Sequence, residues 1–401
     1  MLKRLVVLAA IIVASGAACS TEPDFDLIVL GGTVVDGTGI APRRADVGIK
    51  GDRITAIGNL ASRTTSSVVD ATGKIVAPGF IDLLGRSGIT LLADGLAEGH
   101  LRQGITTEIL GAHSPAFWTQ TTADEAALRT HGLTLDWSGP NAYFSKLNAR
   151  GTAINVGTFV PLSSAAAATA VDEGLRDGAF GVIDDGDAPV TDLTAAAAIV
   201  GRHDAVLVVP ADDAIVAGDD SLLAAGMQAR RLLIADIARP PNGQSTADVV
   251  GRIVRVNQRG VPIFATVAPE SVEGTPLREA LRYGSVMMTA DSAFGAFPRL
   301  LGPMVRDVHA MELREAVRRS TSQPASLLRL QDRGIIRERW FADLVIFDER
   351  AIADRATSEN PDQYPAGIDY VIVNGVVAVT PKGLTGARPG YQLLKTQPPA
   401  Q

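Results

Sequence analysis

The sequence predicts an α/β protein with a (β/α)8, TIM-like barrel at its centre and strand-rich segments at both ends. From residue 76 to about residue 330, short buried strands alternate with Ala- and Leu-rich helical stretches, as expected of parallel strands joined by helical crossovers. Eight such strands in roughly 250 residues is the usual size of this barrel. A doubly wound open sheet fits the same alternation. It is the weaker alternative, because no Gly-rich phosphate loop follows the first strand.

The eight strands can be assigned one by one, because each is a short apolar run bounded by turn residues. They are predicted at Ile75–Leu84, Ile105–Gly111, Thr152–Val160, Phe180–Asp185, Ala205–Pro210, Arg231–Ile237, Pro262–Val267 and Ser285–Asp291. The intervening helices are predicted at Leu92–Arg102, Asp172–Asp177, Thr191–Arg202, Ser221–Arg230, Thr246–Gln258, Leu277–Tyr283 and Glu312–Ser320.

The segments outside the barrel have a different residue pattern. Residues 24–75 alternate β-branched runs with Gly, Asp and Asn, which indicates small antiparallel strands and hairpins. The same pattern of β-branched runs and turn residues occurs again over residues 331–395. We therefore divide the chain into a first β part at 24–75, a barrel at 76–330 and a second β part at 331–395.

The first residues resemble a processing signal. Lys3 and Arg4 precede an apolar run that is too short to span a bilayer, and small residues then lead to Cys19. This pattern is typical of a bacterial lipoprotein signal, in which the cysteine is lipidated; ordinary secretory cleavage nearby is the alternative. We assign residues 1–18 to a signal peptide and expect an exported protein, in the periplasm or outer membrane, with a lipid anchor on Cys19.

Composition narrows the possible partners. The chain is 46% hydrophobic and 20% charged, which is ordinary for a soluble globular protein. Its net charge of -7 and the lack of a basic run interleaved with aromatic residues give no reason to expect a nucleic-acid partner. Since Cys19 is the only cysteine, the chain has no internal disulfide.

The segment from Val76 to Arg86 reads Val-Ala-Pro-Gly-Phe-Ile-Asp-Leu-Leu-Gly-Arg. It resembles the first barrel strand of the amidohydrolase superfamily, which reads Pro-Gly-Phe-Ile-Asp-x-His-x-His. Further segments resemble the D-aminoacylase, or N-acyl-D-amino-acid deacylase, branch in the same order: residues 104–111, 149–156, 295–302 and 356–390. The resemblance implies a barrel with a small β-sandwich domain formed by both chain ends. It also implies hydrolysis of non-peptide C–N amide bonds by a metal-activated water, with an aspartate after strand eight as general base.

The residues at the strand ends depart from this pattern. Leu84 and Arg86 stand at the two histidine positions of strand one, and neither side chain can donate a lone pair to a metal. Asp291 keeps the position of the catalytic aspartate, His113 stands at a cysteine ligand position, and Asp236 replaces a histidine. A catalytic zinc needs three protein ligands and an open position, so His113 and Asp236 leave the set one ligand short. The expected ligands of strands three and five are replaced by Pro161, Leu162, Pro210 and Ala211.

These departures leave several functions open. The first is a divergent amidohydrolase with a degenerate metal site and weak or lost activity, in which His113, Asp236 and Asp291 form a rebuilt site that takes zinc. The alternative is a pseudoenzyme: an inactive envelope lipoprotein without a cofactor that binds a small-molecule ligand or a partner at the barrel mouth. Metal-free hydrolysis by Asp291 with Ser114 or Ser292 lacks a histidine partner.

Other roles for the same residues are structural. His113 fits a hydrogen-bonded packing histidine as well as a ligand. Asp236 and Asp291 fit carboxylates that pair with Arg86, Arg230 or Arg239. Arg86 would then be a buried cation standing where the metal lies in the family. We assign no chemistry to the histidines of the predicted helices and loops, among them His100. Only residues 268–284 separate strands seven and eight, so the long insertion that covers the site in the resembling branch is missing here.

Overall fold

The structure is a computed structural model, which describes residues 22–111, 122–137, 139–162, 168–184, 190–235, 237, 246–260, 263–267, 281–290, 294–357, 359–360 and 363–395. The fold is of the α/β class, and its sheets divide into two types. Two sheets are built from the ends of the chain, and two parallel sheets form the middle.

The first end sheet comes entirely from the N-terminal part. Its order is β5-β4-β1-β6, with bounds Phe25–Leu30 for β1, Asp46–Lys50 for β4, Arg53–Gly58 for β5 and Thr65–Asp70 for β6. Alternate residues such as Leu27 and Val29 are buried. They join an apolar cluster that also contains Leu344 and Ile346 from the C-terminal part, so the two chain ends share one core.

The second end sheet combines both parts of the chain. Its order is β20-β19-β18-β17-β7-β2-β3. The bounds are Thr33–Val34 (β2), Arg43–Arg44 (β3), Ile75–Pro78 (β7), Leu344–Phe347 (β17), Ile368–Val373 (β18), Val376–Thr380 (β19) and Gly383–Leu384 (β20).

The strand predicted at Ile75–Leu84 is therefore wrong as a single element. Its first half, β7, pairs antiparallel with β17 in the end sheet, and its second half begins the parallel part as β8 (Phe80–Gly85). Gly79 lies between the two. A Cβ at this position would lie 2.1 Å from Thr106 Oγ1, so the chain needs glycine where it passes from one sheet to the other.

The parallel strands follow one another in chain order. The three-stranded sheet is β10-β9-β8 and the six-stranded sheet runs from β11 to β16. The remaining bounds are Ile105–Leu110 (β9), Asn155–Thr158 (β10), Val160–Leu162 (β11), Gly181–Asp184 (β12), Val206–Pro210 (β13), Leu232–Ala235 (β14), Ile263–Val267 (β15) and Val286–Met288 (β16). The other seven predicted strands are present, with strand three interrupted at Phe159.

The interruption at Phe159 joins the two parallel sheets. Before it, β10 pairs with β9, and after it, β11 pairs with β12. The Phe159 amide donates to the Leu110 carbonyl at 2.7 Å, and the Phe180 amide donates to the Thr158 carbonyl at 2.9 Å. One strand thus serves both sheets. Apolar side chains from β8, β9, β12, β13, β14 and β16 then meet in a single buried cluster.

Helices occupy most of the connections between the parallel strands. Their bounds are Gly88–Ala93 (α1), Glu98–Leu101 (α2), Thr122–Thr130 (α3), Gly139–Arg150 (α4), Ala168–Arg176 (α5), Val190–Arg202 (α6), Ala211–Ala229 (α7), Thr246–Gln258 (α8), Ala296–Arg299 (α9), Leu313–Ser320 (α10) and Ser322–Leu328 (α11), with a π-helix at Leu300–Asp307. Within the described ranges, no helix is long and apolar enough to cross a membrane.

Two of the predicted helices are not found as single, fully described elements. The helix predicted at Leu92–Arg102 is divided into α1 and α2, because Ala97 has a left-handed backbone with φ of 48° that a continuous α-helix does not accommodate. A Cβ on Gly95, in the same break, would lie 2.1 Å from the Gly151 carbonyl oxygen. The helix predicted at Leu277–Tyr283 lies mostly outside the described residues.

Candidate functional site

The two strand-one positions differ in their surroundings. Leu84 is only 8% exposed and belongs to the apolar cluster between the parallel strands. Arg86 follows the end of β8 and is exposed. Arg86 lies at the end of strand one, as predicted, but it is exposed and is therefore not the buried cation that the sequence suggested.

These positions do not fit the metal that the resemblance implies. A leucine side chain has no donor atom and a guanidinium is a permanent cation, so neither of these two positions offers a metal ligand. Across the described ranges, no group of three or more His, Cys, Asp or Glu side chains is arranged to hold a metal ion. His113, Asp236, Asp291, Ser114, Ser292 and Cys19 lie outside the described residues.

Asp82, in the middle of β8, connects strand one to strand eight. Its buried carboxylate accepts hydrogen bonds from Thr289 Oγ1 at 2.6 Å and from the Ala290 amide at 3.0 Å. Burial raises the pKa of Asp82, and the nearby charge of Glu108 raises it further, against the effect of these hydrogen bonds. Since Asp291 directly follows Ala290 in the sequence, Asp82 fixes the backbone just before the retained aspartate.

A second buried carboxylate, Glu108, lies on β9 and binds two neighbours. It accepts hydrogen bonds from the Ser87 hydroxyl and from the Ser87 amide, the latter at 3.3 Å. Its Oε1 lies 3.4 Å from Nε2 of His100. Ser87 and Glu108 are buried and the His100 side chain is 19% exposed; we call these three residues the Glu108 cluster.

The Glu108 cluster pairs a carboxylate with an imidazole, and their pKa values shift in opposite directions. Burial alone would raise the pKa of Glu108, but the charge of His100 and the hydrogen bonds from His100 and Ser87 lower it. Burial likewise opposes a charged His100, yet the charge and hydrogen bond of Glu108 outweigh it and raise the pKa of the imidazole. Each group therefore stabilises the charged form of the other.

The Glu108 cluster borders a pocket of about 260 Å³ beside the end of strand one. Phe294 and Tyr364 form an aromatic wall with ring centroids 5.3 Å apart. The polar residues of its lining are Ser87, Thr90, Asp94, Glu98 and His100. This combination of apolar walls and a few polar groups suits a small ligand. It does not suit nucleophilic catalysis, because the Ser87 hydroxyl donates to a carboxylate of lowered pKa, which is a weak base.

The sequence reasoning missed this cluster. His100 received no role because it lies in a helical segment away from a strand end, and Glu108 was read only as part of the family resemblance. One signal was available: Glu108 is the single charged residue in the buried strand Ile105–Leu110, and a buried charge needs a partner. Identifying His100 and Ser87 as those partners required the structure.

Comparison with known proteins is consistent with this architecture. The sequence model of an amidohydrolase family matches residues 269–379. N-acyl-D-glutamate deacylase of Alcaligenes xylosoxydans xylosoxydans is 28% identical over 473 residues, covering 92% of this chain and 96% of its own length. D-aminoacylase of the same organism is 26% identical, covering 94% and 99%. The crystal structure of N-acyl-D-glutamate deacylase from Bordetella bronchiseptica, complexed with zinc and a phosphonate inhibitor, superposes with a TM-score of 0.79 at 25% identity, covering 93% of this chain and all of that one.

The chain carries an amidohydrolase-family domain over residues 269–379, and its fold matches that of the Bordetella bronchiseptica deacylase. It is homologous to N-acyl-D-glutamate deacylase and D-aminoacylase. The alignment with the Alcaligenes N-acyl-D-glutamate deacylase spans 473 positions, more than the 401 residues of this chain. That relative therefore carries segments that this chain lacks.

Proposed function

We propose that this protein is a divergent relative of the N-acyl-D-amino-acid deacylases in which metal-dependent hydrolysis of the amide C–N bond is weak or lost. The observation that carries the proposal is the pair Leu84 and Arg86. A buried leucine and an exposed guanidinium occupy the positions of two imidazole ligands, and neither can replace them chemically.

We further propose that the two parallel sheets close into a (β/α)8 barrel. The hydrogen bonds of Asp82 to Thr289 and Ala290 support a junction between strands eight and one. The apolar cluster that contains both Ile81 and Met287 supports it as well. In a closed barrel the carboxyl ends of all eight strands meet at one mouth, where ligands of this fold bind.

The ligand that we propose for this mouth is a small N-acyl amino acid, bound without turnover. The names of the relatives give the class, since they are deacylases of N-acyl-D-glutamate and related compounds. The aromatic wall and the polar lining residues beside strand one offer contacts for an acyl chain and for a polar group. For the cell we propose export and attachment to a membrane through a lipid on Cys19.

The competing candidate is residual hydrolysis by a rebuilt site of His113, Asp236 and Asp291 with bound zinc. It is favoured by the position of Asp82, which fixes the backbone of Ala290 just ahead of Asp291. An active general base would require such positioning.

Two measurements on the full-length protein separate the candidates. Titration with N-acetyl-D-glutamate by calorimetry should show binding, and an amine-release assay with added zinc should show no turnover. Turnover that disappears in Asp291→Asn would instead establish the rebuilt hydrolase. Absence of both binding and turnover for a panel of N-acyl-D-amino acids would reject both functions.

A further inference from the structure

Several basic side chains gather at the edge of the parallel sheet opposite the candidate site. Asp204 lies two residues before β13, and Arg231 directly precedes β14. Because β13 and β14 run parallel, both residues lie at the amino ends of the strands. Arg86 and Ser87 follow the carboxyl end of β8, so the two groups lie at opposite ends of the parallel strands.

Three cations from separate parts of the chain converge here. The guanidinium of Arg231 binds the carboxylate of Asp204 and also donates to the Asp204 carbonyl at 3.0 Å. Arg329, at the end of α11, approaches the same carboxylate to 2.7 Å. Lys395 donates from Nζ to the His203 carbonyl at 2.6 Å. We call Asp204, Arg231, Arg329 and Lys395 the basal cluster.

The basal cluster has more positive than negative charge. Arg231 is only 9% exposed and Lys395 only 6%, and burying a cation without a counter-charge is costly. Burial lowers the pKa of Lys395, and the charges of Arg231 and Arg329 lower it further, while Asp204 only partly compensates. The cluster is thus three cations on one carboxylate, in a chain whose net charge is -7.

A cavity of about 200 Å³ adjoins the basal cluster. Arg329 lines this cavity together with a second arginine, Arg333, two glutamines and several apolar and aromatic residues. Arg329 is thus the member of the cluster that faces the open space, and Arg231 and Lys395 lie behind it. Guanidinium groups present paired N–H donors that match the oxygens of a phosphoryl group, and a lysine adds a point charge.

We propose that the basal cluster binds a phosphoryl oxyanion, supplied either by free phosphate or by the headgroup of an anionic phospholipid. The anion would complete the charge balance that Asp204 leaves unfinished. This site is independent of the proposed function at the barrel mouth, since it uses none of the same residues.

Calorimetric titration of the full-length protein with inorganic phosphate, at constant ionic strength, tests the proposal. Arg329→Gln should weaken binding about tenfold, because a hydrogen bond to a charged group contributes about that factor. The variant should fold, since the Arg329 side chain is 60% exposed. Lys395→Gln is a second variant with the same expected direction.

Arg129→Gln is the matched control. The Arg129 side chain is 66% exposed and also pairs with one carboxylate, that of Glu125. The Arg129→Gln substitution therefore removes one positive charge at a site away from the basal cluster. Binding should be unchanged in this variant. Equal weakening in Arg329→Gln and Arg129→Gln would show only a general charge effect and would overturn the proposal.

Co-sedimentation with vesicles distinguishes the two sources of the anion. If the source is a lipid, wild-type protein should bind phosphatidylglycerol vesicles more than Arg329→Gln does, and the two should not differ on phosphatidylcholine. Both proteins carry the same N-terminus, so their difference reports the basal cluster. If the wild type binds no phosphate and the variant matches it on phosphatidylglycerol, the cluster is purely structural and the proposal fails.

Discussion

Replacing Glu108 by glutamine should destabilise the protein strongly, and more so at mildly acidic pH. The carboxylate is fully buried, accepts two hydrogen bonds from Ser87 and pairs with His100. Glutamine has nearly the same shape but keeps only one acceptor oxygen, and its amide would face a donor. The substitution therefore removes the charge and one charge-assisted hydrogen bond while leaving the packing almost unchanged.

The expected loss follows from these contacts. Removing one partner of a buried ion pair costs about 3–5 kcal/mol. Two effects reduce this figure: the carboxylate no longer has to be desolvated, and Asp82 is relieved of a neighbouring negative charge. We therefore expect a loss of about 2–3 kcal/mol, which is large against the usual stability of a folded domain.

Urea unfolding of the full-length protein at about pH 5.5 and about pH 8 measures this loss. The midpoint should fall in Glu108→Gln with an unchanged slope, and it should fall further at the lower pH, where His100 is charged. Glu125→Gln, which removes an exposed carboxylate paired with Arg129, should change stability by less than about 1 kcal/mol. If Glu108→Gln is as stable as the wild type at pH 5.5, the Glu108 cluster is not an ion pair.

Three further predictions concern the Glu108 cluster, Arg86 and Gly79. The stabilisation by the Glu108 cluster should be greatest between about pH 4.5 and 6.5. The pKa of Glu108 is lowered in the folded protein, so its contribution is lost as the pH falls below the unfolded pKa. The pKa of His100 is raised, so its contribution is lost as the pH rises through the folded pKa. Urea midpoints should therefore decline on both sides of this range, and His100→Gln should flatten the decline on the alkaline side. Arg86→Ala should change the free energy of unfolding by no more than about 0.5 kcal/mol, because the side chain is exposed; a loss above about 2 kcal/mol would show that Arg86 supports the fold. Gly79→Ala should destabilise by about 1–3 kcal/mol, since the new Cβ would clash with Thr106, whereas Gly73→Ala, at a turn with open space, reports only backbone strain.

Much of the parallel part could be predicted from the sequence. Strands buried on both faces are continuous apolar runs, so Val206–Pro210 and Ile263–Val267 stand out from their polar flanks. Helix α8 matches its predicted bounds, Thr246–Gln258, because polar and apolar residues alternate there with helical spacing. These elements are specified locally, and local patterns identify them.

Other features depend on contacts between distant segments. Nothing in the run Ile75–Leu84 indicates that its first half pairs with Leu344–Phe347, some 270 residues away along the chain. Likewise, the partners of Glu108 come from a loop and a short helix, and no spacing rule links them. The substitutions Leu84 and Arg86, in contrast, could be recognised from the sequence because the strand-one motif fixes their positions.

Zinc stoichiometry shows whether strand one of this protein still supports a bound metal. The full-length wild type and the variant Leu84→His/Arg86→His should be incubated with zinc, desalted and analysed for bound metal. We predict no stoichiometric zinc in the wild type, and a gain in the double variant, which restores the two imidazole positions. One zinc per chain in the wild type, lost in His113→Ala or Asp236→Ala, would contradict this account and establish a rebuilt metal site.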